Sequence, residues 1–322
     1  MKISVIGCGR WGAFIAWYLD KIGNELTVYA PDDAPQIHEF MKTRTNGTVT
    51  FREEVRLTTD LREAMSSDII VISIPSQNVR SLMTEISAFE PRSKIFVLCM
   101  KGIEISTGKR LSQVVGEFCG QKECSNSIAV WIGPGHPQEF VRGVPNCMVI
   151  DSENEGVKSM LVNSFSSSLI RFYYGTDLIG NEIGAATKNI IGIAAGMLDG
   201  YNVSSLKGAL MSRATTEISR LIGALGGDIR SAYGLCHLGD YEATVFSKYS
   251  HNRAFGEAFI KGEKFEALAE GYYTTQAVHR ISAKLNVDMP ICEAVYSILF
   301  EGASPDTVLN SLFSRSLKRE FA

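Results

Sequence analysis

SVIGCGRWG, residues 4 to 12, puts three glycines between the end of an apolar run and the start of an amphipathic segment, AFIAWYL. Gly7 permits a tight turn off a first strand. Gly9 leaves bare backbone against which a ligand's phosphates can rest, and Gly12 lets the following helix pack closely on the sheet. The start of that helix would face the phosphates with unpaired N–H groups and the positive end of its dipole. The glycine spacing alone is a weak sign. Placed at the first strand of an alternating chain, it predicts a dinucleotide-binding turn.

The rest of the first half supplies that alternation. The runs KISVIG, ELTVYA, VRLTT, DIIVISI, KIFVLCM, SIAVWIG and CMVID are separated by amphipathic stretches. Strands alternating with helices imply a doubly wound, Rossmann-type, mostly parallel sheet covered on both faces. After about Asp177 the spacing changes to three and four, as in Ala209, Ser212, Arg213, Glu217 and Leu221 around an apolar stripe, which predicts a C-terminal all-α domain. The chain therefore reads as α/β, with a dinucleotide-binding domain over residues 1–180 and an α-helical substrate-binding domain over 181–322. A length of 322 residues suits two cores. No Pro/Gly/Ser linker divides them, so the boundary near 177–190 is expected at the start of a long helix.

Composition narrows the function. The formal charge is -3, with 45% hydrophobic and 21% charged residues, so no basic excess points to nucleic acid. Arg10 and the glycines interrupt the apolar start and no small-residue cleavage site follows, which argues against export. IIGIAAGML at 190–198, flanked by Lys188 and Asp199, is too short to cross a bilayer, so no membrane association is expected. Cysteines at 8, 99, 119, 124, 147, 236 and 292 form no CxxC pair and have no histidine at zinc-ligand spacing. They read as buried free thiols of a reducing cytoplasm, with no metal site. The second strand ends at Tyr29-Ala30, followed by Pro31-Asp32-Asp33. Those aspartates favour NAD slightly but serve equally as turn residues, so NAD or NADP stays open.

Further motifs follow in order: SIPSQNVR at 73–80, MKGIE at 100–104, GPGHPQE at 133–139 and DLIGNEIGAATKNIIGIAAGMLDG at 177–200. GDYEAT at 239–244, SHNRAFG at 250–256, EGYYTTQAV at 270–278 and MPICEAVYSILFEG at 289–302 complete the set. Over nearly its whole length the chain resembles the bacterial NAD(P)-dependent sn-glycerol-3-phosphate dehydrogenases. The resemblance implies reduction of dihydroxyacetone phosphate for glycerophospholipid synthesis, by a cytoplasmic homodimer acting on a small molecule. It makes Lys188 the general acid-base, Lys101 the second lysine near substrate and cofactor, and Asp240 a catalytic partner in the substrate site. It places Gly7, Gly9, Arg10, Trp11, Gly12, Lys101, Pro137, His251 and Glu270 along the cofactor. Around the substrate it puts Gly133, Gly135, Ser250, His251, Asn252 and Arg253, together with Lys101, Lys188 and Asp240.

Two departures touch the substrate end. The family's arginine in S-R-N, which reaches phosphate and cofactor, is His251 here, with Arg253 two residues on; its small hydroxyl residue and phenylalanine in GP-S/T-F-A are Gly135 and His136. These changes would allow a related two-domain dehydrogenase of another 2-oxo or 3-hydroxy acid. A redox-sensing module that binds nucleotide without turnover is a third reading, against which Lys101, Lys188 and Asp240 argue, since a binder has no need of a proton donor.

The chemistry asks for such residues. Hydride delivery to a ketone builds negative charge on the carbonyl oxygen, which must receive a proton. A lysine in a partly desolvated cleft beside a second lysine trades its proton more easily near neutral pH. Gly184, Ala185 and Ala186 before Lys188, and Asn189-Ile190-Ile191 after it, make its helix turn apolar and closely packed. Lys101 ends an apolar strand at the carboxyl edge, where open α/β sheets bind ligands. Asp240 follows a glycine in a turn, and Asn252 and Arg253 could offer an amide and a guanidinium to a phosphate. His136 and His251, taken singly, read as structural or partly exposed rather than catalytic.

Overall fold

The computed structural model describes residues 1–119, 125–317 and 319–320, so Cys124 lies outside the described residues. Strands β1 (Lys2–Ile6), β2 (Glu25–Tyr29), β3 (Arg56–Thr58), β4 (Ile69–Ile72), β5 (Ile95–Leu98), β6 (Ser127–Ile132), β7 (Asn146–Asp151) and β8 (Ile170–Tyr174) form one sheet. Its order is β3-β2-β1-β4-β5-β6-β7-β8. Every neighbouring pair is parallel except β6 and β7. All seven runs read from the sequence are strands. The eighth, IRFYY, was not anticipated, because on this edge strand buried Ile170 and Phe172 alternate with exposed Arg171, Tyr173 and Tyr174. No continuous apolar run marks it.

Strand order reverses between β1 and β4, the switch point where open α/β sheets bind ligands. Ile6 stands level with Tyr29 and Ile72, Ile72 with Leu98, and Leu98 with Val130. The loops after β1, β4, β5 and β6 therefore open on one edge. Helices α1 (Arg10–Lys21), α2 (Pro35–Thr43), α3 (Leu61–Ala64), α4 (Val79–Ser87), α5 (Leu111–Cys119), α6 (Pro137–Val141) and α7 (Glu155–Phe165) cover the sheet. Ile3, Val5, Ile69 and Val71 face one core and Ile6, Ile70 and Ile72 the other, which is why these strands are apolar throughout.

Beyond β8 the chain is helical: α8 (Leu178–Gly200), α9 (Lys207–Ala224), α10 (His251–Lys261), α11 (Glu270–Leu285), α12 (Pro290–Phe300) and α13 (Pro305–Phe313). Helix α8 is buried from Glu182 to Met197, so it forms the axis around which the others pack. Positions 180, 184, 192, 196 and 200 are glycine, and Lys188 occupies the one remaining place in that four-residue row. Other chain segments approach the row at backbone range: a Cβ on Gly196 would lie 1.9 Å from the Arg253 carbonyl oxygen. On α9 the stripe is shifted from the sequence reading. Ala214, Ile218, Leu221 and Ile222 are buried, while Ala209, Ser212 and Arg213 are exposed. Glu217 is buried because its carboxylate accepts the N–H groups of Ile291 (2.8 Å) and Cys292 (2.9 Å) at the start of α12.

Two carboxylates tie the helices to the sheet. Glu182 of α8 accepts the Ser112 N–H at 2.9 Å and the Ser112 hydroxyl at 2.6 Å, and pairs with Arg110. Glu270 of α11 accepts the Ser76 N–H at 2.9 Å and its hydroxyl at 2.5 Å. Cys8, Cys99, Cys236 and Cys292 are buried free thiols, whereas Cys147 is half-buried. Among the described residues no helix is long and apolar enough to cross a membrane.

Candidate active site

Two lysines from separate parts of the chain converge on one carboxylate oxygen. Lys188, in the glycine row of α8, places Nζ 2.8 Å from Asp240 Oδ2. Lys101, just past β5, places Nζ 2.7 Å from the same oxygen and donates to the Gly133 carbonyl at 2.7 Å. The two ammonium groups thus stand within two hydrogen-bond lengths of each other. Asp240 is buried, and its compensation by two cations is what makes a carboxylate tolerable there. Lys188 is only 7% exposed. Burial pulls its pKa from 10.5 down to about 8, Lys101 pulls the same way, and Asp240 opposes both. The group therefore exchanges protons near neutral pH.

Two neighbours complete the cluster, and the sequence reading assigned a role to neither. Thr244 Oγ1 accepts from Lys188 Nζ at 2.6 Å and donates to the Asp240 carbonyl at 2.7 Å. Thr244 follows Asp240 by four residues in GDYEAT, so the signal was present as a helical spacing. The intervening Glu242–Phe246 turn is a π-helix, a widened turn that recurs at functional sites. His237 is fully buried and donates from Nδ1 to the Gly184 carbonyl at 2.9 Å, so its Nε2 accepts from the Tyr241 hydroxyl at 2.7 Å. Burial keeps this imidazole neutral, down to about 4, and it pins the Asp240 turn to α8. Nothing in GLCHLGD announces that role. An ammonium has three N–H groups, so with Thr244 and Asp240 on Lys188, and Gly133 and Asp240 on Lys101, each lysine retains one for a substrate oxygen.

The glycine turn fits a dinucleotide. Gly7 has φ +105°, and a Cβ there would lie 2.2 Å from the Ser73 carbonyl oxygen; a Cβ on Gly12 would lie 2.1 Å from that of Gly7. A Cβ on Gly9 would project into open space over the start of α1. That start has neither a side-chain cap nor an acidic residue in its first turn, so its N–H groups stay available to an anion. Gly135, at φ +138°, packs against the Phe140 ring, and Pro137 opens α6.

The remaining sequence candidates divide. His136 is within the electrostatic reach of Lys188, Asp240, Arg10 and Lys101; His251 is within that of Arg10 and has Nδ1 3.3 Å from the Leu268 carbonyl. Asn252 donates to Asn189 at 3.0 Å and accepts the Gly271 N–H at 2.9 Å, bracketing α8, α10 and α11. Ser250 accepts the Arg253 N–H as the cap of α10. Arg253 turns away, to Asp199 at 2.6 Å and Glu257 at 3.1 Å. Glu270 is occupied by Ser76, on the loop after β4.

This fold, with two lysines sharing one carboxylate oxygen and a dinucleotide turn at the carboxyl edge of the same sheet, is that of a two-domain nicotinamide-dependent dehydrogenase. Models of the NAD-dependent glycerol-3-phosphate dehydrogenase N-terminus and C-terminus match residues 2–158 and 177–310. The chain is 38% identical over 332 residues to glycerol-3-phosphate dehydrogenase (NAD(P)+) of Thermoanaerobacter sp., covering 99% of each. It is 35% identical to that of Pelodictyon phaeoclathratiforme, again covering 99% of each. The crystal structure of glycerol-3-phosphate dehydrogenase from Coxiella burnetii superposes with a TM-score of 0.91 at 27% identity, covering 98% of this chain and 99% of that one. The chain belongs to the NAD-dependent glycerol-3-phosphate dehydrogenase family.

Proposed function

We propose that this chain reduces dihydroxyacetone phosphate to sn-glycerol 3-phosphate, the product that glycerophospholipid synthesis consumes, with residues 1–180 holding the dinucleotide and 181–322 completing the substrate site against them. A bound NADH or NADPH supplies the hydride. Lys188 gives its proton to the carbonyl oxygen as negative charge gathers there, and in the reverse direction takes the proton from the alcohol. Lys101 stabilises the same oxygen with its free N–H while its other contacts fix it to Gly133 and Asp240. Asp240 holds the two ammonium groups together without being the proton donor. Thr244 fixes the rotamer of Lys188.

The observation that carries this reading is the shared oxygen of Asp240, approached at 2.8 and 2.7 Å by two lysines. Oxidation of NADH and of NADPH, measured side by side with dihydroxyacetone phosphate and with dihydroxyacetone, tests it. A strong preference for the phosphate ester is the expected result; equal rates overturn the phosphate assignment and favour the reading as a dehydrogenase of another 2-oxo or 3-hydroxy acid. We place the enzyme in the cytoplasm as a homodimer, by analogy with the family and with the free thiols Cys8, Cys99, Cys236 and Cys292. Light scattering at working concentration checks the dimer.

A further inference from the structure

A phosphate ester needs a cation at the far end of the cleft, and the residues nearest in sequence are already engaged. Arg253 directs NH1 to Asp199 and Glu257, and its Nε to the Ser247 carbonyl at 3.3 Å. Asp199 lies three turns beyond Lys188 on α8, about 16 Å along the axis at 1.5 Å per residue, and it also binds Lys207 at 2.7 Å. The guanidinium of Arg253 is therefore remote from the lysines. Asn252 is spent on Asn189 and Gly271.

Arg10 is differently placed. Its side chain is exposed and makes one long contact across the cleft, to the Tyr249 carbonyl at 3.4 Å. The Tyr249 ring stands edge-on to the His136 ring with centroids 5.4 Å apart. His136 is 8% exposed, and its Nε2 is buried with no hydrogen-bond partner. Lys188, Asp240, Arg10 and Lys101 are the charged groups that act on this imidazole. A buried ring nitrogen without a partner is costly, and a ligand oxygen placed there would relieve it.

We infer that Arg10 is the receptor for the substrate's phosphate, with His136 Nε2 as its second contact, so that the guanidinium comes from the dinucleotide-binding turn and not from α10. The inference rests on the phosphate-ester reading above. The cofactor's pyrophosphate can be met by the backbone N–H groups at the start of α1, which leaves the Arg10 side chain for another anion. The imidazole at 251 is consistent with this exchange. Burial first, and the Arg10 charge second, disfavour the protonated form of His251, so a permanent cation at 251 would be both desolvated and repelled by Arg10.

Steady-state kinetics of the full-length enzyme with dihydroxyacetone phosphate, dihydroxyacetone and NADH test the inference, with inorganic phosphate as inhibitor. In Arg10→Ala the ratio of kcat/KM for the phosphate ester over dihydroxyacetone is expected to fall about 100-fold, from loss of a charge-assisted bidentate contact. KM for dihydroxyacetone phosphate should rise far more than KM for NADH, and competitive inhibition by inorganic phosphate should weaken in step. Arg10→Lys, which keeps charge without the fork, should fall between the two. An unchanged ratio in Arg10→Ala, or a rise confined to KM for NADH, overturns it. A wild-type enzyme with no preference for the phosphate ester would instead remove the underlying assignment of function, so the two failures are told apart.

Discussion

Lys188 and Lys101 end on a single oxygen, Asp240 Oδ2, at 2.8 and 2.7 Å. Only one of them is embedded in a helix whose packing strips it of water. That asymmetry is the reason for proposing Lys188, and not Lys101, as the proton donor. Lys188→Ala should lower kcat for ketone reduction about 10³-fold, the usual size of a lost general acid, while NADH still binds. Stopped-flow rates together with a fluorescence titration of NADH measure both. A rate within threefold of wild type removes Lys188 from the mechanism.

The pH dependence follows from the same group. In the proposed role Lys188 must be protonated for reduction, so kcat should fall as pH rises through about 8, and the oxidation rate should rise over that range. Asp240 holds the value up against burial, so Asp240→Asn should move both limbs to lower pH. Stability has a linked sign. The folded pKa lies below the unfolded one, so between about 8 and 10.5 the unfolded chain binds more protons, and this group's burial disfavours the fold less as pH rises. Rate profiles without the expected inversion between directions would contradict the assignment.

The sheet was legible because β1 and β4 to β6 are apolar on both faces, and such runs stand out without any periodicity. Strand β8 was not, since half of it faces water. The α9 stripe was misplaced only at its start, where Ala209, Ser212 and Arg213 face water; it held at Leu221 and at Glu217, whose carboxylate is buried by accepting two N–H groups of α12. Among site residues, Lys188 was conspicuous by its small apolar neighbours and Lys101 by its strand end. His237 and Thr244 were not, because their importance lies in contacts to Gly184 and Asp240 that only the fold creates. Arg253 misled because sequence distance from His251 says nothing of Asp199, which takes its guanidinium.

The glycine row of α8 predicts opposite outcomes for two similar substitutions. In Gly196→Ala the new Cβ would meet the Arg253 carbonyl oxygen at 1.9 Å and its carbon at 2.8 Å, and backbone cannot move aside as a side chain can. A loss of about 2–3 kcal/mol in unfolding free energy is expected, the range of an overpacked core. Gly208, near the exposed start of α9, meets nothing within 4 Å. Gly208→Ala should stabilise by up to about 1 kcal/mol through helix propensity. Denaturant midpoints for the two variants check the signs; equal shifts would show that the α8–α10 contact opens to admit a methyl group at no cost.

The choice between the two nicotinamide cofactors turns on the end of β2. Asp32 has a local duty, since its carbonyl accepts from His38 Nε2 at 2.7 Å and its carboxylate lies 3.4 Å from the same nitrogen. Asp33 stays exposed beside it. Tyr29, the last residue of β2, has its hydroxyl pKa raised by burial first, and then by the negative charges of Glu85, Asp33 and Asp60. The negative charges of these three carboxylates therefore reach the last residue of β2, the strand end at which a ribose 2′-hydroxyl is read in this fold. A 2′-hydroxyl can donate to a carboxylate, whereas a 2′-phosphate would add a dianion to the group and be repelled. We expect kcat/KM for NADH to exceed that for NADPH by about tenfold or more, with the gap narrowing in high salt as screening shortens the reach of the carboxylates. Asp33→Arg, which both removes a charge and supplies a guanidinium, should narrow it further through NADPH. A wild-type enzyme that uses NADPH as well as NADH at low salt would show that these acids do not face the ribose at all.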